Sequence, residues 1–287
     1  MRRKRCSAVG LLFWAALALV NASSSQAQVT SVTNYQDSIV AGSKTTYLDA
    51  LRKIFPDVEM EETAVAHKTI PLRHLFGDYK GKIYEGEMKI GGVERLQAQG
   101  KNSVQLLLVH VSGSDQFNWG EISVLALFQL EPTLQLLDAG DVQADRFASF
   151  WEEMPHLRIS PQGDAVIVAS SHHNSSQSYL SLAMIATEGN KLSTVFDFPT
   201  LLHGNDCGNT FSQTPNVSVL RAATGAHFNI LFQVKMVKEP DDASCEKKTR
   251  GYTRYYQGLL VWNSARRRYE TRGAGLARLT RFNEKSF

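Results

Sequence analysis

The sequence predicts a mainly β protein: an antiparallel meander of three strand triplets, folded as a sandwich or open barrel, with a small α+β N-terminal segment. Three observations carry this. Runs rich in β-branched, aliphatic and aromatic residues recur at strand length and are separated by turn residues. The runs fall in threes, with a period of about 60 residues between successive triplets. Helical periodicity is confined to two short stretches, 47–55 and 145–153. The chain has 287 residues, 43% hydrophobic and 21% charged, which excludes disorder, collagen and coiled coil.

The elements follow in order. Residues 1–27 read as a secretory signal peptide: Arg2, Arg3, Lys4 and Arg5, then the apolar run Ala8–Val20, then small residues at Ser25 and Ala27 before a cut after Ala27. The apolar run is shorter than the ~20 residues a bilayer span needs. A secreted or periplasmic protein is therefore expected, meeting the membrane only transiently during export. Residues 28–100 form the α+β segment. Thr45 or Thr46 can cap a helix from Tyr47, because Leu48, Leu51 and Phe55 share a face and Pro56 stops it. Strands are expected at Thr69–Leu75 and Lys82–Ile90, with a turn at Gly91-Gly92.

The β-rich domain spans 101–287. Its first triplet is Ser103–Val111, Glu121–Leu130 and Thr133–Leu137; its second is Ala165–Ser170, Tyr179–Ala186 and Lys191–Phe198. The third is Phe228–Val237, Tyr256–Trp262 and Arg268–Thr271. This layout is propeller-like, but a propeller blade has four strands and three units do not close the usual ring. Between the first two triplets, Phe147, Phe150 and Trp151 fall on one face of a predicted amphipathic helix, Asp145–Glu153.

The mature chain keeps two of three cysteines. Cys207 and Cys245 are expected to pair, as an even number of thiols in an exported chain favours a disulfide; closing ~38 residues is worth ~4 kcal/mol. Catalytic signatures of the common hydrolase, protease and nucleotide-binding classes are absent, and no cofactor is implied. The weak catalytic candidates are His172 and His173, in a polar strand-end loop, and His203 and Asp206 in His203–Asn209. Asp138, Asp141 and Asp145 are a weak metal candidate that misses the EF-hand spacing; Asp141 and Asp145 are better read as caps of the helix after them. Ser244-x-x-Lys247 lacks its companion motifs, and Asn174 and Asn216 head glycosylation sequons.

Charge is unevenly placed. The formal net charge is +3, but four of the 31 basic residues lie in the leader, leaving 27 against 28 acids. Residues 247–287 hold 11 basic and 2 acidic residues. Arg250, Arg254, Arg266, Arg267 and Arg268, interleaved with tyrosines, are the expected binding residues, and the expected partner is an acidic ligand, glycan or protein rather than nucleic acid. The leading function is thus a non-catalytic envelope or extracellular binding module. The alternatives are an exported hydrolase with residues on strand-end loops, and a structural envelope component.

Overall fold

The computed structural model describes residues 28–76, 81–97, 104–113, 121–142, 148–174, 177–206, 208–220, 226–240 and 250–286. They form two mainly antiparallel sheets and two helices, with no closed barrel. The first sheet contains β1 (Val29–Val32), β2 (Glu59–Met60), β3 (Ala64–Lys68), β4 (Arg73–His74), β5 (Glu85–Gln97), β6 (Val104–Ser112), β7 (Glu121–Gln129) and β8 (Gln135–Asp141). Its order is β2-β3-β5-β6-β7-β8-β4, with β1 also on β5. The second contains β9 (Ala148–Phe150), β10 (His156–Arg158), β11 (Asp164–His173), β12 (Gln177–Ala186), β13 (Ser193–Asp206), β14 (Asn209–Leu220), β15 (Asn229–Pro240), β16 (Tyr252–Asn263) and β17 (Arg268–Arg272). It runs in chain order from β10 to β17, with β9 also on β11. The helices are α1 (Tyr47–Ile54) and α2 (Gly275–Ser286).

Three apolar layers hold these elements together. Leu48, Leu51 and Ile54 of α1 cover Leu107, Val109, Val124 and Phe128 on one face of the first sheet. Its other face, Leu106, Leu108, Leu125 and Leu127, packs on Val166, Val168, Ala183 and Ile185 of the second sheet. The far face of the second sheet buries Ile167, Met184, Phe196, Phe198 and Phe232 with Leu276 and Leu279 of α2. Strands β6, β7 and β11 are therefore buried on both sides. This is why Leu106–Val109 and Val166–Val168 are unbroken apolar runs rather than alternating ones. The triplets do not form a ring. The first shares a sheet with the N-terminal strands, since β5 pairs with β6 across residue 100; the second and third lie in the other sheet.

The predicted cap is present. The Thr46 hydroxyl accepts from the Asp49 amide at 3.2 Å, and Asp49 Oδ2 accepts from the Thr46 amide at 2.9 Å. That backbone donor holds the Asp49 carboxyl below its usual range. A lowered carboxyl pKa contributes stability above the unfolded value and loses it as pH falls through the folded one. Thr46→Ala is expected to cost about 1 kcal/mol in chemical denaturation at neutral pH. A cost unchanged after acidification to well below the carboxylate range would mean that Asp49 adds nothing to the cap.

Several expectations are corrected. The stretch Ala148–Phe150 is a strand, not part of a helix 145–153, and residues 143–147 lie outside the described residues. Phe150 enters the layer between the sheets while Trp151 enters the far layer, the opposite facing of strand neighbours. Among the described residues Asp141 caps no helix; its carboxylate lies against Tyr84 and His74. Gly91-Gly92 is not a turn: β5 runs through it with a register shift against β6 between Ile90 and Gly92, a bulge. The expected strand 69–75 shrinks to Arg73–His74, which joins β8 in parallel. The segment His203–Asn209 is a hairpin tip, not a loop, and Gly208 there has φ +75°.

Strand β14 and helix α2 are among the elements outside the three triplets. In β14 the inward positions Phe211, Gln213, Pro215, Val217 and Val219 include an amide and a proline. Pro215 is tolerated because β13 pairs with β14 only as far as His203 and Ser212, so the strand is an edge on that side. Beyond that point the Leu201 amide donates to Gln213 Oε1 at 3.1 Å, and Gln213 and Asn283 of α2 exchange hydrogen bonds at 2.6 and 3.3 Å. Helix α2 thus fills the seam where β13 and β14 separate. The sheet rolls around it until Arg268 of β17 reaches Asp197 of β13 at 3.4 Å.

Candidate functional site: a cation–aromatic face

The predicted residues are placed as follows. His173 and Ser178 are opposed on β11 and β12, with His173 Nδ1 2.7 Å from Ser178 Oγ, and His203 on β13 is opposite Ser178. Among the described residues no ion pair joins His173 to a carboxylate. Strand alternation puts His172 on the opposite face of β11 from His173. Asp206 pairs with Asn209 at the hairpin tip. Cys207, Cys245 and Asp145 lie outside the described residues, as do residues 1–27.

The aspartates serve the fold. Asp138 Oδ2 accepts from Arg73 Nη2 at 2.6 Å and from the Leu192 amide at 2.8 Å, while Arg73 also donates to the Leu192 carbonyl, a clamp between the two sheets. Asp141, buried, accepts from the Tyr84 hydroxyl at 3.2 Å and lies 3.2 Å from His74 Nδ1. Burial, then the Asp141 charge, pushes the Tyr84 phenol well above its usual range, so it stays a donor. Among the described residues no group of three or more His, Cys, Asp or Glu is placed to hold a metal.

One constellation escaped the sequence. Glu94, His110 and Ser123 stand side by side on β5, β6 and β7: His110 Nε2 is 3.3 Å from Glu94, and His110 Nδ1 is 3.4 Å from Ser123 Oγ. The order hydroxyl–imidazole–carboxylate is that of a triad. However, Ser123 is only 4% exposed, and Glu94 Oε2 accepts from the Phe150 amide of β9 at 3.0 Å. A nucleophile must reach its substrate; this serine does not, and the row is a polar bridge between the sheets. Three residues from three strands, up to 29 positions apart, leave no sequence signal.

No family model, curated protein or solved structure matches this chain.

The site therefore rests on its own geometry, and the geometry divides the arginines. Arg254 lies near the start of β16 and Arg266–Arg268 follow its end, roughly 30 Å away at ~3.3 Å per residue. At the far end the charges are matched: Arg266 lies 3.2 Å from Glu270 and Arg268 3.4 Å from Asp197. Arg267 occupies the turn itself with φ +51°.

The near end differs. Phe211 of β14, Lys238 of β15 and Tyr252 of β16 lie directly across from one another on the inward face of the roll. Lys238 Nζ is 5.5 Å from the Phe211 ring and 5.8 Å from the Tyr252 ring. The Arg254 guanidinium sits 4.5 Å over the Tyr252 ring. Phe282 of α2 backs Phe211 at 5.7 Å, fixing its ring. Partial burial raises the Tyr252 phenol, against the opposing pull of Arg254, so the ring stays uncharged. Arg250 is exposed just before β16. Lys238, Arg250 and Arg254 have no ion-pair partner among the described residues. Aromatic faces hold cations at ~0.5–1 kcal/mol each without neutralising them. The described residues thus hold Lys238 and Arg254 over the rings of Phe211 and Tyr252.

Proposed function

We propose that this chain is an exported, non-catalytic binding module that takes an acidic glycan on the Phe211–Lys238–Tyr252–Arg254 face. The observation that carries the reading is the contrast between the two ends of β16: Arg266 and Arg268 meet Glu270 and Asp197, whereas Lys238 and Arg254 lie over aromatic rings with no ion-pair partner among the described residues. Rings beside cations suit a sugar carboxylate or sulfate, because the anion meets the charge while a pyranose face meets the ring. The leader-like residues 1–27 support exposure to such ligands. No helix among the described residues is long and apolar enough to cross a membrane.

The test is retention on an immobilised sulfated polysaccharide across a salt gradient. Lys238→Glu with Arg254→Glu is expected to elute at clearly lower salt than the parent, because surface charge attraction is screened over ~10 Å at 0.1 M salt. Arg266→Glu with Arg268→Glu is expected to change elution less. If the second pair weakens retention more than the first, the face is misassigned. If neither pair changes it, the protein is no anionic binder and the structural reading of the envelope component takes its place.

A further inference from the structure

A second feature lies at the other end of β15. Where strand ends of the two sheets meet, a pocket of about 480 Å³ opens between the turn 160–164, the segment 187–190 and residues 226–227, with Leu127 of the first sheet in its wall. That volume is within the small-molecule range of ~300–1,000 Å³. Its described lining contains two carboxylates, Glu188 and Asp164, and neither lysine nor arginine.

The local chain is built around Glu188. Its Oε1 accepts from the Ser160 hydroxyl at 3.3 Å and lies 3.1 Å from His227 Nε2. Its Oε2 has no hydrogen-bond partner among the described residues. The His227 ring is held flat on Trp262, with centroids 3.9 Å apart and planes 9° from parallel. A Cβ at Gly163 would fall 1.9 Å from Glu188 Oε1 and 2.6 Å from Ser160 Oγ, so only glycine leaves room for this carboxylate. Arg158 directs its guanidinium to the Ser160 and Pro161 carbonyls, which fixes the turn rather than neutralising the acid. Gly189 and Asn190 both adopt left-handed backbone, φ +62° and +59°, to bring the segment round.

The second carboxylate adds an independent observation. His156 has a side chain only 5% exposed and aims Nε2 at Asp164 Oδ1 from 3.5 Å, yet this nitrogen makes no hydrogen bond among the described residues. A buried imidazole nitrogen without a partner is costly. It is tolerated here beside a carboxylate that itself lines the pocket. Arg266 and Arg268, at the same end of the sheet, are already paired with Glu270 and Asp197.

We propose that this pocket binds a small organic cation bearing a primary ammonium group, with Glu188 as its anchor and Asp164 as the second carboxylate. Donors on the ammonium match Glu188 Oε2 and the Asp164 carboxylate of the lining, and the walls at Leu127, Pro161 and Ala226 suit a carbon body. A divalent metal fits less well, since no group of three or more ligating side chains converges among the described residues. This site is separate from the anionic-ligand face, and either can stand without the other.

The experiment is calorimetric titration of the full-length mature protein with benzylamine, with benzyl alcohol as the uncharged control. Saturable benzylamine binding below about 10 mM is expected, with none for the alcohol. Glu188→Gln keeps the acceptor for Ser160 and His227 but removes the charge, and is expected to weaken binding at least about tenfold. Ala226→Trp, at an exposed position, keeps both carboxylates and fills the mouth; it is expected to abolish binding with an unchanged melting curve. Equal binding of the alcohol, unchanged binding by either variant, or no saturation with benzylamine each overturns the proposal. Displacement of benzylamine by Ca²⁺ alone at sub-millimolar levels would overturn the assignment to an organic cation.

Discussion

Gly275→Ala is expected to detach α2 from the rolled sheet and to destabilise the protein by about 3–5 kcal/mol. A Cβ at this position would lie 2.1 Å from the Gln257 carbonyl oxygen and 2.8 Å from its amide nitrogen. Both are backbone atoms of β16, in the middle of a paired strand, and neither can move aside as a side-chain tip can. The helix must therefore shift. Leu276 and Leu279, 2% and 0% exposed, lose their seats in the far layer. The reciprocal Gln213–Asn283 pair opens as well, which leaves the Leu201 amide and a buried glutamine without their ordered partner. Chemical denaturation gives the magnitude, and amide exchange locates it: protection should fall first along α2 and at Leu201. A loss under about 1 kcal/mol would show that α2 is not seated against Gln257. The variant also bears on the binding face, because Phe282 is the ring behind Phe211.

Phe150→Ala is the second large effect, expected at about 3–5 kcal/mol by denaturation. Phe150 is 1% exposed and fills the layer between the two sheets beside Val166, Val168 and Leu106. Both walls of that cavity are β-sheet, paired on either side, so they relax little into the space left behind. Trp151→Ala opens a different layer. The two losses are expected to add within about 0.5 kcal/mol, as for sites without shared partners. A helix over 145–153 would put both rings in one layer and make the losses strongly non-additive, so the double mutant separates the two arrangements.

Much of the β architecture was legible because strand-forming residues and turn residues alternate along the chain. Strands β6, β7, β11, β12, β15, β16 and β17 fall where the runs lie, and α1 starts at its capping threonine. The failures have identifiable causes. Strand β14 carries Asn, Gln, Pro and Ser, and it survives because one neighbour pairs with it throughout while the other leaves after four residues. The aromatic cluster at 147–151 satisfies helical spacing as well as strand alternation over so short a window, and pairing with β11 decided for the strand. Helix α2 carries Leu276, Leu279 and Phe282 at three-residue spacing, a signal hidden by the glycines at 273 and 275 where it begins. The basic C-terminal segment was read from composition as one surface. Composition cannot say that its arginines lie at opposite ends of a 12-residue strand, or that Asp197, 71 positions away, meets Arg268.

By itself the sequence determined the class of secondary structure, the positions of most strands, the first helix and its cap, and the excess of positive charge after residue 247. Those are local properties: φ/ψ preference, turn chemistry and side-chain charge are carried by residues within a few positions of each other. Only the tertiary structure decided which strands share a sheet, which layer each apolar face enters, and which arginines meet a carboxylate. The same physical reason covers all three. A strand run buried on both faces carries no period to say what lies on either side. An ion pair or pocket wall is made by residues from separate strands, brought together by the packing of two sheets.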